Sequence, residues 1–92
     1  MELPLEIKRA GSSRTSREGL TRNISSAGVM FALEQHQDPG ETIEYVIALP
    51  AGENDRVNIR CMGKVVRCEP WPERCYRFRV AATVERYEFV RP

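Results

Sequence analysis

The sequence predicts an all-β fold of six short antiparallel strands, closed into a barrel or stacked as a sandwich. Three observations carry this. Apolar and polar residues alternate with a period of two, most clearly at Ile43, Tyr45, Ile47 and Leu49. Turn-forming Gly, Pro, Asn, Asp and Ser interrupt the alternation at short intervals. The chain has 92 residues, a single domain (1–92) able to bury about 60 to 65% of its unfolded surface around one core.

Taken in order, Leu3, Leu5 and Ile7 alternate with Glu2, Pro4, Glu6 and Lys8, a strand with one buried face, and Pro4 puts it at an edge or a strand start. Arg9 to Glu18, rich in Ser, Gly and Arg, reads as a mobile loop carrying Arg9, Arg14 and Arg17. Gly19 to Ile24 resumes a strand, and alternation groups Leu20, Arg22 and Ile24 on one face and Thr21, Asn23 and Ser25 on the other. Arg22 then needs a bulge or a place at the rim where its stem can snorkel. Val29, Phe31 and Leu33 share a face, and the strand fades into Glu34–Gly40, where His36 reads as a solvated loop residue. Thr42–Leu49 is the clearest strand, followed by the hairpin loop Pro50–Asp55. Arg56–Cys68 forms a long arm with Val57, Ile59, Cys61 and Val65 on one face, and Gly63 suggests a bend or bulge in it. Glu69–Arg74 is an extended turn whose Trp71 is expected over one end of the core, with an exposed recognition surface as the alternative. Tyr76, Phe78, Val80 and Ala82 face inward with Arg77 and Arg79 outward. For the tail, Val84–Pro92, spacing allows either a short capping helix or a final extended segment.

The net charge of +1 conceals three unlike segments. Residues 1–22 hold five basic and three acidic side chains, residues 23–55 six acidic and no Lys or Arg, and residues 56–92 nine basic and four acidic. If the two basic segments meet in the fold, they make a surface that concentrates an anion. No basic run is dense enough for a nucleic-acid tail, and aromatics at 8% leave no stacking platform for single strands, which argues against nucleic acid. Cys61, Cys68 and Cys75 are separated by six residues each, without a C-x-x-C pair or a nearby histidine, so no metal site is expected. An odd cysteine count without an apolar leader fits free thiols in a cytoplasmic protein. No apolar run is long enough to insert in a membrane. The isolated His36, the cysteines without a base and the lack of paired carboxylates leave no machinery for catalysis, so no enzyme is expected.

Side-chain chemistry and turn geometry coincide at Arg22–Phe31, where Asn23, Ser25 and Gly28 break two apolar runs. On residue types alone this is turn chemistry: Asn and Ser bond nearby backbone, and Gly adopts positive φ freely. The spacing Asn23-Ile-Ser25-Ser-Ala-Gly28 also resembles the [D/N]-x-S-x-x-G motif of the PilZ domain, a small β-barrel whose better-known members bind the bacterial second messenger cyclic di-GMP. The likeness continues through Val29–Leu33, Gly40-Glu-Thr-Ile43, Gly63-Lys-Val-Val-Arg67 and Tyr76-Arg-Phe-Arg-Val80, nearly the whole chain. It implies a six-stranded antiparallel PilZ-like β-barrel, with Asn23, Ser25 and Gly28 contacting one guanine side of the nucleotide.

In that family an R-x-x-x-R upstream of the first strand clamps phosphate and stacks on the base. Here the arginines before Asn23 are Arg9, Arg14, Arg17 and Arg22, at spacings of five, three and five, and the motif is absent. Either the clamp is missing by nature or the polypeptide begins too late to include it. The loop arginines Arg14 and Arg17 are the expected substitutes, with Arg9 and Arg22 as further candidates. Arg56 and Arg60 spell R-x-x-x-R downstream of the turn and read as coincidence. Two readings stand: a cyclic di-GMP receptor without other cofactors, and a nucleotide-independent adaptor that binds a protein partner.

Overall fold

The computed structural model describes residues 2–52, 55–71 and 76–90, which form seven strands and no helix. These are β1 (Pro4–Ala10), β2 (Ser13–Ile24), β3 (Gly28–Leu33), β4 (Thr42–Ala51), β5 (Asp55–Pro70), β6 (Phe78–Thr83) and β7 (Arg86–Val90). Every pairing is antiparallel. The order β4-β1-β2-β3-β6-β5 returns to β4 through a β4–β5 pairing, so six strands form a barrel-like ring, and β7 hangs on β5 outside it. The tail is therefore the extended alternative, a seventh strand rather than a capping helix. Cys75, residues 72–74 of the Trp71 turn and residues 53–54 of the Pro50–Asp55 loop lie outside the described residues.

The alternating residues fill the ring. Leu3, Leu5 and Ile7, then Val29, Phe31 and Leu33, then Ile43, Tyr45 and Ile47, then Cys61 and Val65, and finally Val80 and Ala82, are all buried in one cluster. Phe31 and Tyr45 meet with ring centroids 6.0 Å apart, and the Tyr45 hydroxyl donates to the Thr83 carbonyl at 3.0 Å. Burial pushes the Tyr45 hydroxyl well above the ordinary tyrosine range and the Cys61 thiol above its own. Cys61 and Cys68 are free thiols, the first buried and the second half-buried.

Four local expectations are corrected. Arg9–Glu18 is not a loop: β1 and β2 continue to Ala10 and Ser13 and turn through Gly11, at φ 62°, and Ser12. The alternation signal fails there because most residues from Ser13 to Glu18 face water, leaving no apolar stripe to read. On β2 the inward face carries Gly19 and Thr21, so Leu20 and Arg22 point outward and Arg22 meets no conflict with the core. Thr21 is buried because its hydroxyl accepts the Leu3 N–H at 2.8 Å while its own N–H donates to Leu3 O at 2.9 Å, tying the N-terminus to the ring. A register shift between Thr21 and Asn23 marks the anticipated bulge.

Gly63 is not a bulge, since β4 and β5 pair without interruption from Thr42↔Lys64 to Ala51↔Asp55. A Cβ there would sit 1.8 Å from the Thr83 carbonyl oxygen, so glycine permits the close crossing of β5 and β6. The β5 irregularity falls further on, between Val65 and Arg67. Trp71 does not close a barrel end. Its ring lies 5.0 Å from the guanidinium of Arg22 on β2 and 5.7 Å from that of Arg79 on β6, both outer-face residues, which places it on the outside of the sheet. Ala32, outward on β3 between those strands, is only 2% exposed, consistent with a ring lying across it.

Candidate ligand-binding site

The Asn23 segment builds itself locally. Ser25 N–H donates to Gly28 O at 2.9 Å, and the N–H groups of Ala27 and Gly28 donate to Ser25 Oγ at 3.3 and 3.2 Å. The Ser25 hydroxyl donates in turn to Gly28 O at 3.2 Å. Ser25 thus shapes the turn from within. Val84 N–H donates to Ala27 O at 3.0 Å and fixes the turn against the β6–β7 junction. Gly28 does not use positive φ, contrary to the turn-chemistry reading. Its missing Cβ instead leaves room for the Ala82 carbonyl, which a Cβ would approach to 3.1 Å.

Asn23 stands on the bulge with its amide exposed and without a hydrogen bond among the described residues. It borders an open groove of about 270 Å³ shared with Ile24, Ser25, Gly28, Met30 and Ala81. That is just under the roughly 300 to 1,000 Å³ of typical small-molecule sites, so the groove can hold part of a ligand and the remainder must lie across the sheet. The pairings Asn23↔Met30, Met30↔Ala81 and Ala81↔Arg67 define one outer row across β2, β3, β6 and β5. At the usual strand spacing this row spans about 14 Å.

Arginine from both basic segments does meet beside this row. Arg22 from the first segment and Arg79 from the last flank Trp71, and Arg67 ends the row. Each is matched by a carboxylate: Arg22 pairs with Glu2, and Arg67 and Arg79 both reach Glu69 at 2.8 Å. The hydrogen bond from Arg79, helped by the charge of Arg67, holds the Glu69 carboxyl below the usual carboxylate range. The remaining candidates are elsewhere. Arg14 and Arg17 precede Asn23 on the same extended strand by nine and six residues, which puts them about 30 and 20 Å away. Arg9 pairs with Arg14 in the hairpin and forms an ion pair with Glu44 at 3.7 Å. Sequence reasoning missed Arg67 and Arg79 because only the sheet order brings β6 beside β3 and β5 beyond it.

A larger depression, about 580 Å³, lies over β1, β2, β4 and β5 rather than at this turn. Its Glu6 and Glu18 offset Lys8 and Arg60, so it has no preference for an anion. Arg60, one half of the downstream R-x-x-x-R, pairs with Glu44 and Glu88. Among the described residues no cluster of three or more His, Cys, Asp or Glu could hold a metal ion, and no helix is long and apolar enough to cross a membrane.

The described residues thus form a small antiparallel ring with an exposed amide and arginines on its outer face. A scan against protein-family models matches the PilZ domain over residues 1–88, and the chain belongs to that family of cyclic di-GMP-binding and adaptor domains. Neither the comparison with curated proteins nor that with solved structures gave a match.

Proposed function

We propose that this domain is a cytoplasmic receptor for cyclic di-GMP. Asn23 supplies hydrogen bonds to a guanine edge, the Ser25–Gly28 turn holds it in place, and Arg22 meets phosphate or stacks on the base. Arg67 at the end of the row and Arg79 beside it extend the cationic side. The observation that carries this reading is the Asn23 amide, exposed and unengaged beside a groove, with Arg22 next to it on the bulge.

The test is a calorimetric titration with cyclic di-GMP of the wild type, Asn23→Ala, Arg22→Ala and the double variant Arg14→Ala/Arg17→Ala. Losing a charge-assisted contact of about 1.5 to 3 kcal/mol weakens binding roughly 10- to 150-fold, so Arg22→Ala falls in that range. Asn23→Ala abolishes measurable binding with folding intact, and the distant double variant binds as the wild type does. No heat and no rise in melting temperature at high ligand rejects the receptor reading. The second reading, a nucleotide-independent adaptor, then stands; it is favoured by the full engagement of Arg22 with Glu2 and Trp71 and by the remoteness of Arg9, Arg14 and Arg17.

A further inference from the structure

β7 is not needed to close the ring, yet it carries the two most exposed large apolar side chains among the described residues. Tyr87 is 60% and Phe89 64% exposed, and their rings meet edge to face at 6.0 Å. One side of β7 pairs with β5, Cys61 opposite Tyr87 and Ile59 opposite Phe89. The other side has no strand partner among the described residues. An edge with free N–H and C=O groups and adjacent aromatics is a template for strand addition.

The charges on β7 select the partner. Two identical antiparallel strands that keep the same faces together must pair about a residue, and each possible centre makes a different set of opposites. Centring on Glu88 sets glutamate against its symmetry copy, and centring on Arg86 sets arginine against arginine. Centring on Tyr87 places Arg86 opposite the partner copy's Glu88, and Glu88 opposite the partner copy's Arg86, with the tyrosines adjacent on the other face. Arg86 forms no ion pair among the described residues, while Glu88 already meets Arg60 at 3.6 Å and would be shared between two guanidinium groups. A strand charged to repel its own kind would carry one sign; this one is self-complementary in that register.

We infer that two copies of this chain associate by antiparallel pairing of β7 with β7, centred on Tyr87. This does not depend on the nucleotide reading. Sedimentation velocity from micromolar to millimolar protein tests it, with circular dichroism confirming that each variant is folded. The wild type dimerises as concentration rises. Arg86→Glu and Glu88→Arg, each alone, set like charges opposite one another twice and weaken self-association by about tenfold or more. An equimolar mixture of these two variants restores opposite charges at both positions and recovers the dimer, as does the double variant Arg86→Glu/Glu88→Arg. A wild type that stays monomeric throughout, or a dimer unaffected by the single changes, overturns the inference, as does a mixture of folded variants that stays monomeric.

Discussion

Gly63→Ala and Gly28→Ala separate stability from the proposed ligand-binding surface. Both glycines have ordinary φ, so the cost of alanine is one of space. At Gly63 the new Cβ meets Thr83 O at 1.8 Å and the Thr83 carbonyl carbon at 2.7 Å. To reach an ordinary contact the crossing of β5 and β6 must open by about 1.5 Å. β6 cannot recoil freely, because Thr83 is also paired with Gly28 on the neighbouring β3. Opening the crossing breaks the Tyr45 hydroxyl bond to Thr83 O and the Lys64 N–H bond to Thr83 Oγ1. Overpacking costs about 1 to 3 kcal/mol, and stranding the buried tyrosine hydroxyl adds roughly 1 to 3. The total of about 2 to 6 kcal/mol is a large part of the roughly 5 to 14 expected for a domain of this length. In a urea titration followed by far-ultraviolet circular dichroism, Gly63→Ala loses that amount, and melting falls by at least about 8 °C.

At Gly28 the nearest contact is Ala82 O at 3.1 Å, which a shift of a few tenths of an ångström relieves. Gly28→Ala therefore costs less than about 1 kcal/mol. It remains folded while its methyl group enters the strip beside the Asn23 groove, so its effect on nucleotide affinity can be read without a folding artefact. If Gly63→Ala lies within about 1 kcal/mol of the wild type, or Gly28→Ala proves equally costly, close approach does not explain these glycines and the reasoning fails.

Gln37 is fully buried in the loop after β3, and among the described residues neither of its side-chain polar atoms has a hydrogen-bond partner. Gln37→Met, which removes the amide at nearly the same volume, should raise stability by about 1 kcal/mol and melting by roughly 4 to 8 °C; a lower melting temperature would show the amide to be satisfied in solution. The pH profile should fall on both sides. Glu69 and Glu6 titrate below their unfolded value of 4.5, Glu6 through the hydroxyl of Ser16 and the ammonium of Lys8, so their contribution is present above that value and is lost as pH falls beneath it. Cys61 and Tyr45 titrate above 9.0 and 10.0 respectively. Their contribution is complete below those values and declines as pH rises through them, which urea midpoints measured across the alkaline range would register.

The alternation made the core legible because burial on one face of a strand imposes a period of two. Phe31, Tyr45, Ile47 and Val80 could be placed inside from the sequence, and they are buried. The method failed where that cause was missing. Ser13–Glu18 is paired strand whose side chains mostly face water, so propensity for loops was read where backbone hydrogen bonding prevailed. It failed again at Thr21, where a hydroxyl occupies a core position because it has a backbone partner in Leu3. The turn at Asn23 was legible as a motif since its bonds span only two or three residues. The arginines beside it were not, because Arg67 and Arg79 reach it through strand order and register over more than forty residues of chain.

That arrangement bears on how strongly the site can hold an anion. Arg22, Arg67 and Arg79 bring three positive charges, but Glu2 and Glu69 are already bound to them. A phosphate entering the row must displace or share those carboxylates, so it gains the difference between two charge-assisted bonds rather than the whole of one. Exposed ion pairs of this kind contribute little to folding, which makes their exchange for phosphate inexpensive to the fold even though it lowers the affinity gained. Removing Glu2, the partner of the arginine nearest Asn23, would then tighten nucleotide binding with little change in stability. Under the adaptor reading the same substitution leaves the titration flat, because an arginine released at that turn has no nucleotide to receive it.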